Sequence, residues 1–162
     1  MDSTMRTVGD VMTRKIVTVT KTDALDNLEE GMQRLRFRHL PVVDDAGKLV
    51  GLLTHSDLRH AWSTFLSDRE ADRNAIIKQV PVGRIMQGEV VTVMAEDSLV
   101  EAGKLMWEAK IGCLPVVDPE GALVGIITAA DFIRVAAHLL GAEIPKVNVD
   151  ELARQARTTR AA

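Results

Sequence analysis

Two short segments of this chain hold residues that could meet a phosphorylated ribose: Thr54-His55-Ser56-Asp57 and Thr128-Ala129-Ala130-Asp131. Each follows an apolar run and opens a stretch with helical spacing, so threonine and aspartate stand at a strand-to-helix junction. A helix amino terminus presents unpaired N–H groups and a partial positive charge that suit phosphate. A carboxylate there can accept both hydroxyl protons of a ribose, as the acidic residue of dinucleotide folds does. Thr-x-x-Asp is also a capping box, in which the hydroxyl closes onto the N3 amide and the acid reaches back. Capping contributes about 1 kcal/mol and would retain the pattern with no ligand. The two roles are compatible, and the spacing leaves both open.

A basic cluster, Arg34, Arg36, Arg38 and His39, flanks Phe37 just before the apolar run that begins at Leu40. Arginine grips phosphate bidentately and keeps its charge, and a histidine beside it adds pH dependence. Cations at the carboxyl end of a helix also suit its dipole with no ligand present. His55, Arg59 and His60 could reach a phosphate but read more simply as surface residues, and Trp62 and Trp107 as packing or dimer-contact residues.

These residues recur because the chain repeats itself. Shifting it by 74 residues aligns 8–61 with 82–135 without a gap, with 20 of 54 pairs identical; ordinary residue usage would give roughly three. Val17-Thr18-Val19 returns as Val91-Thr92-Val93, Leu40-Pro41-Val42-Val43-Asp44 as Leu114-Pro115-Val116-Val117-Asp118, and Leu49-Val50-Gly51 as Leu123-Val124-Gly125. In each copy a short Val-Thr-Val strand precedes an acidic cap, Asp23 or Asp97. An amphipathic helix follows, through Leu25, Leu28, Met32 and Leu35, or Leu99, Ala102, Met106 and Ala109. Strands at 40–43 and 49–53, joined by Asp44-Asp-Ala-Gly-Lys, predict a hairpin, and the second copy does the same through Asp118-Pro-Glu-Gly-Ala. A second helix begins at Thr54 or Thr128. The fold class expected is α+β, two β-α-β-β-α repeats: repeat 1 at 7–62, a partly helical connector at 63–80, repeat 2 at 81–138, and a tail at 139–162 whose stretch 150–157 could form a short helix or fray.

Composition removes several classes. The chain has 162 residues, 46% apolar and 27% charged, which is enough to bury a core. A net charge of −3 gives no general attraction for nucleic acid or anionic membrane. The longest apolar run, Ala122 to Ala130, is about half the ~20 residues of a membrane helix. One cysteine, Cys113, and no apolar stretch at the amino terminus point to the cytoplasm. There is no nucleophile elbow, no P-loop and no base beside Asp57 or Asp131, which argues against an enzyme. His39, His55, His60, His138 and Cys113 show no metal-ligand spacing. A nucleic-acid patch at Arg34, Arg36 and Arg38 is opposed by the acidic total and the scarcity of aromatics.

The paired Leu-Pro-Val-Val-Asp and Gly-apolar-apolar-Thr-x-x-Asp blocks resemble the cystathionine beta-synthase (CBS) domain pair, or Bateman module, over about residues 7 to 138. The resemblance implies two repeats packed sheet to sheet with a pseudo-two-fold relation, pairing into a homodimer. It implies a non-catalytic regulator that binds adenine nucleotides (AMP, ADP or ATP) or S-adenosylmethionine in clefts between the repeats, alters dimer conformation or the binding of a regulated protein, and needs no metal. Carried over residue by residue, one cleft would join Thr128 and Asp131 to Ile16, Phe37, Arg38 and His39, with phosphate near Arg38 and His39; the other would join Thr54 and Asp57 to Val90, Ile111 and Gly112. Ile16 and Val90 would flank the adenine ring. Nucleotide-binding relatives often carry His-Arg before the strand, where this chain has Arg38-His39 in one copy and Gly112-Cys113 in the other. The rival reading is a ligand-free dimeric scaffold whose helical faces recruit a partner protein.

Overall fold

The computed structural model describes residues 5–25, 28–64 and 79–145. Residues 65–78 of the expected connector and 146–162 of the expected tail lie outside the described residues. In chain order the elements are α1 (Val8–Val11), α2 (Leu28–Leu35), β1 (His39–Val43), β2 (Leu49–Thr54), α3 (His55–Thr64), a 3₁₀ turn (Val82–Arg84), α4 (Leu99–Ala109), β3 (Cys113–Val117), β4 (Leu123–Thr128) and α5 (Ala129–Leu139). The fold is α+β, with two small antiparallel two-stranded sheets, β1 with β2 and β3 with β4.

Each hairpin closes as its turn residues require. The N–H groups of Ala46 and Lys48 donate to Asp44 Oδ1 at 3.0 and 2.9 Å, and those of Glu120 and Ala122 to Asp118 Oδ1 at 3.1 and 2.8 Å. The carboxylate thus substitutes for backbone acceptors in the turn. Gly47 and Gly121 take φ of +78° and +85°, where a side chain would be strained.

The described residues form two compact units, and these do not follow the repeat. One, the β3–β4 unit, comprises 5–17, 43–50 and 89–145; the other, the β1–β2 unit, comprises 18–25, 28–42, 51–64 and 79–88. In the β3–β4 unit Val8, Val11 and Met12 from the start of the chain join Val93, Leu99, Ala102, Met106, Leu114, Val116 and Ile127 in one core. Thr13 bridges Ile126, exchanging N–H···O bonds of 2.8 and 2.9 Å. In the β1–β2 unit Val80 and Val82 are buried, as are Leu25, Met32, Leu40, Val42, Leu53 and Leu58, and Gln87 bridges Leu52 through two 2.9 Å bonds. The segment leading into one copy therefore completes the core around the other copy's strands. Gly51 and Gly125 make room for it: a Cβ on Gly51 would lie 2.5 Å from Met86 Sδ and 2.9 Å from the Gln87 carbonyl, and one on Gly125 would collide with Met12.

Two sequence expectations change. The Val-Thr-Val strands shrink to single parallel bridges, Val19 with Val42 and Val93 with Val116. Beyond each bridge the chain turns away, and the turn is closed by a side chain: Thr20 N–H donates to Asp23 Oδ2 and Met94 N–H to Asp97 Oδ2, both at 2.7 Å. These aspartates therefore close turns, and the cap of α4 is Ser98, whose hydroxyl accepts from Glu101 N–H. The α1 turn and the 3₁₀ turn were not legible as helix, being only four and three residues long.

Candidate functional site

Both Thr-x-x-Asp segments fold into the capping box. In α3, Asp57 Oδ2 accepts from Thr54 N–H at 2.8 Å and from Thr54 Oγ1–H at 2.7 Å, while Asp57 N–H donates to Thr54 Oγ1 at 3.1 Å. In α5, Asp131 Oδ2 accepts from Thr128 N–H and Oγ1–H, each at 2.9 Å, and the reciprocal bond to the Thr128 hydroxyl is also present. The first helical amide is taken as well: His55 N–H donates to the Arg38 carbonyl at 2.9 Å, and Ala129 N–H to the Gly112 carbonyl at 3.0 Å. Several donors that a helix terminus offers an anion are thus committed to the chain. What each box leaves for an external hydroxyl is the second carboxylate oxygen, Oδ1.

The two Oδ1 atoms have different neighbours. Gln87 Nε2 approaches Asp57 at 3.3 Å from Oδ1 and 3.4 Å from Oδ2, a long and shared contact from a neutral amide. Arg134 Nη1 donates to Asp131 Oδ1 at 2.9 Å, and this ion pair is shielded, its side chains 23% and 8% exposed. Asp131 is buried, whereas Asp57 is only partly so. Arg134 follows Asp131 by three residues on a helix, a spacing at which side chains meet, so this pairing was readable in the sequence. Gln87 was not, because it reaches Asp57 only through the exchanged leading segment.

The positions before each β-hairpin also differ electrostatically. His39 in β1 is partly buried, and burial first and Arg38 second push its pKa below the usual imidazole value, with Asp57 acting in the opposite sense. Its counterpart Cys113 in β3 is buried, and burial pushes the thiol up to about 12.

Of the residues singled out from the sequence, Thr54, Asp57, Phe37, Arg38 and His39 belong to the β1–β2 unit; Thr128, Asp131, Ile16, Val90, Ile111 and Gly112 belong to the β3–β4 unit. Arg38 and Gly112 are exposed, while Phe37, Ile16, Val90 and Ile111 are partly buried. Each set implied by the family resemblance therefore draws on both units. Among the described residues no group of three or more His, Cys, Asp or Glu could hold a metal ion, and no helix is long and apolar enough to cross a membrane.

Comparison with known proteins matches the CBS domain family to residues 8–64 and 82–138. A CBS domain-containing protein of Dictyostelium discoideum is 34% identical over 134 residues, covering 82% of this chain and 92% of that protein. A homoserine O-acetyltransferase of Methanococcoides burtonii is 33% identical over 132 residues, but this chain spans only 24% of its length. Among solved structures, CBSX2 in complex with AMP is 30% identical with a TM-score of 0.70, covering 82% of this chain and 97% of that one. A CBS domain pair in complex with 5′-methylthioadenosine and S-adenosyl-L-methionine is 25% identical with a TM-score of 0.68, covering 80% and 98%.

Proposed function

The chain belongs to the CBS domain family, and from that premise we propose that it is a non-catalytic regulatory module that binds AMP, ADP, ATP or S-adenosylmethionine. The observation that carries this reading is the strand-to-helix junction present in both copies, where a threonine fixes one carboxylate oxygen and the other oxygen remains for a ligand to compete for. In this reading the carboxylate at a junction accepts ribose hydroxyls, and Arg38 and His39 supply the cationic side for phosphate. Two solved relatives hold ligands that share an adenosine moiety, AMP in one and methylthioadenosine with S-adenosylmethionine in the other. The module acts as a cytoplasmic homodimer, and ligand binding changes dimer conformation or the affinity for a regulated protein by no more than the ligand's differential affinity for the two states.

A thermal-shift panel tests this. A ligand at 100 times its dissociation constant stabilises by about 2.7 kcal/mol, which for a chain of this size is a rise of about 5–10 °C. If AMP, ADP, ATP and S-adenosylmethionine all leave melting unchanged at millimolar concentration, the ligand-binding reading fails. The chain is then better described as a ligand-free interaction module, a reading favoured by the exposed apolar residues Val100 and Trp107 on α4 and Ile133 on α5.

A further inference from the structure

We infer that the two junctions are unequal acceptors of a ribose, and that Arg134 makes them so by occupying Asp131; this rests on the ribose-acceptor reading given above. A carboxylate offers about four lone-pair directions. In both copies two of them, on Oδ2, are used by the threonine N–H and hydroxyl. A ribose diol donating two hydrogen bonds needs the remaining pair. At Asp131 the guanidinium of Arg134 already holds Oδ1 at 2.9 Å in a shielded pair, so a diol must displace a charged donor from a buried carboxylate. Charge-assisted hydrogen bonds are the stronger kind, and parting such a pair out of water leaves each charge poorly solvated. At Asp57 the competitor is a neutral amide at 3.3–3.4 Å from an exposed glutamine, which a diol can replace with little loss.

The difference is written into the repeat. The residue equivalent to Arg134 is His60, and the residue equivalent to Gln87 is Thr13, so neither partner is shared between copies. Arg134 is thus a specificity-determining residue that sets how many adenosyl ligands the chain takes. The chain binds one AMP, at the Asp57 junction, and Arg134 keeps the Asp131 junction closed to it.

Isothermal titration of the full chain with AMP tests this. The wild type should bind one AMP per chain. Asp57→Asn should lose at least tenfold in affinity. Arg134→His, which installs the other copy's residue, and Arg134→Leu, which removes the guanidinium, should each raise the stoichiometry toward two. Circular dichroism melting confirms that each variant is folded. Two comparable sites in the wild type, or loss of binding in Asp131→Asn with Asp57→Asn unaffected, would overturn the inference and leave the adenosyl-binding reading standing. One wild-type site with no second site in either Arg134 variant would show that Arg134 is not the cause. No heat from the wild type with AMP, ATP or S-adenosylmethionine would overturn the parent reading and this inference with it.

Discussion

The exchange of leading segments makes a sharp prediction about glycines. Gly51 lies inside β2, where a Cβ would meet Met86 Sδ at 2.5 Å, the Gln87 carbonyl oxygen at 2.9 Å and Met86 Cε at 3.1 Å. The methionine end could swing away, but the carbonyl cannot. It accepts the Leu52 N–H at 2.9 Å, and the Gln87 N–H returns a bond of the same length to the Leu52 carbonyl. Gly51→Ala must therefore push residues 86–87 off the strand. Overpacking a filled interior costs about 1–3 kcal/mol, and the threatened bridge places this variant toward the upper end. For Gly125→Ala the three nearest atoms all belong to the Met12 side chain, which can adjust, so its cost falls near the lower end. Gly31 is the control. It sits in α2 with nothing within 4 Å of the place an added methyl would take, and Gly→Ala inside a helix gains about 0.5–1 kcal/mol. Thermal unfolding followed at 222 nm should order the proteins Gly31→Ala, wild type, Gly125→Ala, Gly51→Ala. At about 2–4 °C per kcal/mol the extremes should differ by roughly 10 °C. If Gly51→Ala melts with the wild type, the 86–87 segment does not lie against β2 and the exchanged architecture is wrong.

Three further outcomes follow from local geometry. Arg36 and Lys110 end their helices at φ +55°, a left-handed conformation that glycine adopts freely, so Arg36→Gly should stabilise by about 1 kcal/mol in urea unfolding, while Lys110→Gly should be near neutral because it also loses the stacking of Lys110 Nζ at 4.0 Å from the Trp107 ring centre. His39 has its folded pKa held below 6.5 by burial and by Arg38, so the unfolded chain binds the extra proton and stability should fall as pH drops below about 6.5; His39→Gln should flatten that slope in melting curves between pH 7.5 and 5.5, and an unchanged slope would contradict it. The Cys113 thiol, buried and pushed up to about 12, should resist a thiol-disulfide reagent in the folded protein at pH 8 and react fully in denaturant; rapid labelling of the folded protein would show that β3 opens easily.

Much of the fold was legible because its signals are local. Asp44 and Asp118 with the following glycines announce the two hairpins, and Thr54 and Thr128 announce the starts of α3 and α5. The Val-Thr-Val segments misled because β propensity does not register a carboxylate a few residues ahead that closes a turn directly after Val19 and Val93. The exchange of leading segments was not legible, since nothing in the identity of Met12 or Met86 says which copy's strand it packs on. Its trace was a glycine in the middle of each second strand, the residue expected where another backbone or side chain approaches closely. At the candidate site the Thr-x-x-Asp spacing supported both capping and ligand binding. The structure shows the capping bonds in place, with the second oxygen of Asp131 held by Arg134 and that of Asp57 met only by a long contact from Gln87.

That remaining oxygen is where the account is most exposed to test. Titration calorimetry should compare AMP with 2′,3′-dideoxyadenosine 5′-monophosphate, which keeps the base and the phosphate and lacks only the two hydroxyls. Hydrogen bonds to a charged group contribute about 1.5–3 kcal/mol, so AMP should bind at least tenfold more tightly, and Asp57→Asn should erase the difference. Equal affinities for the two compounds in the wild type would contradict the assignment of Asp57 as the ribose acceptor.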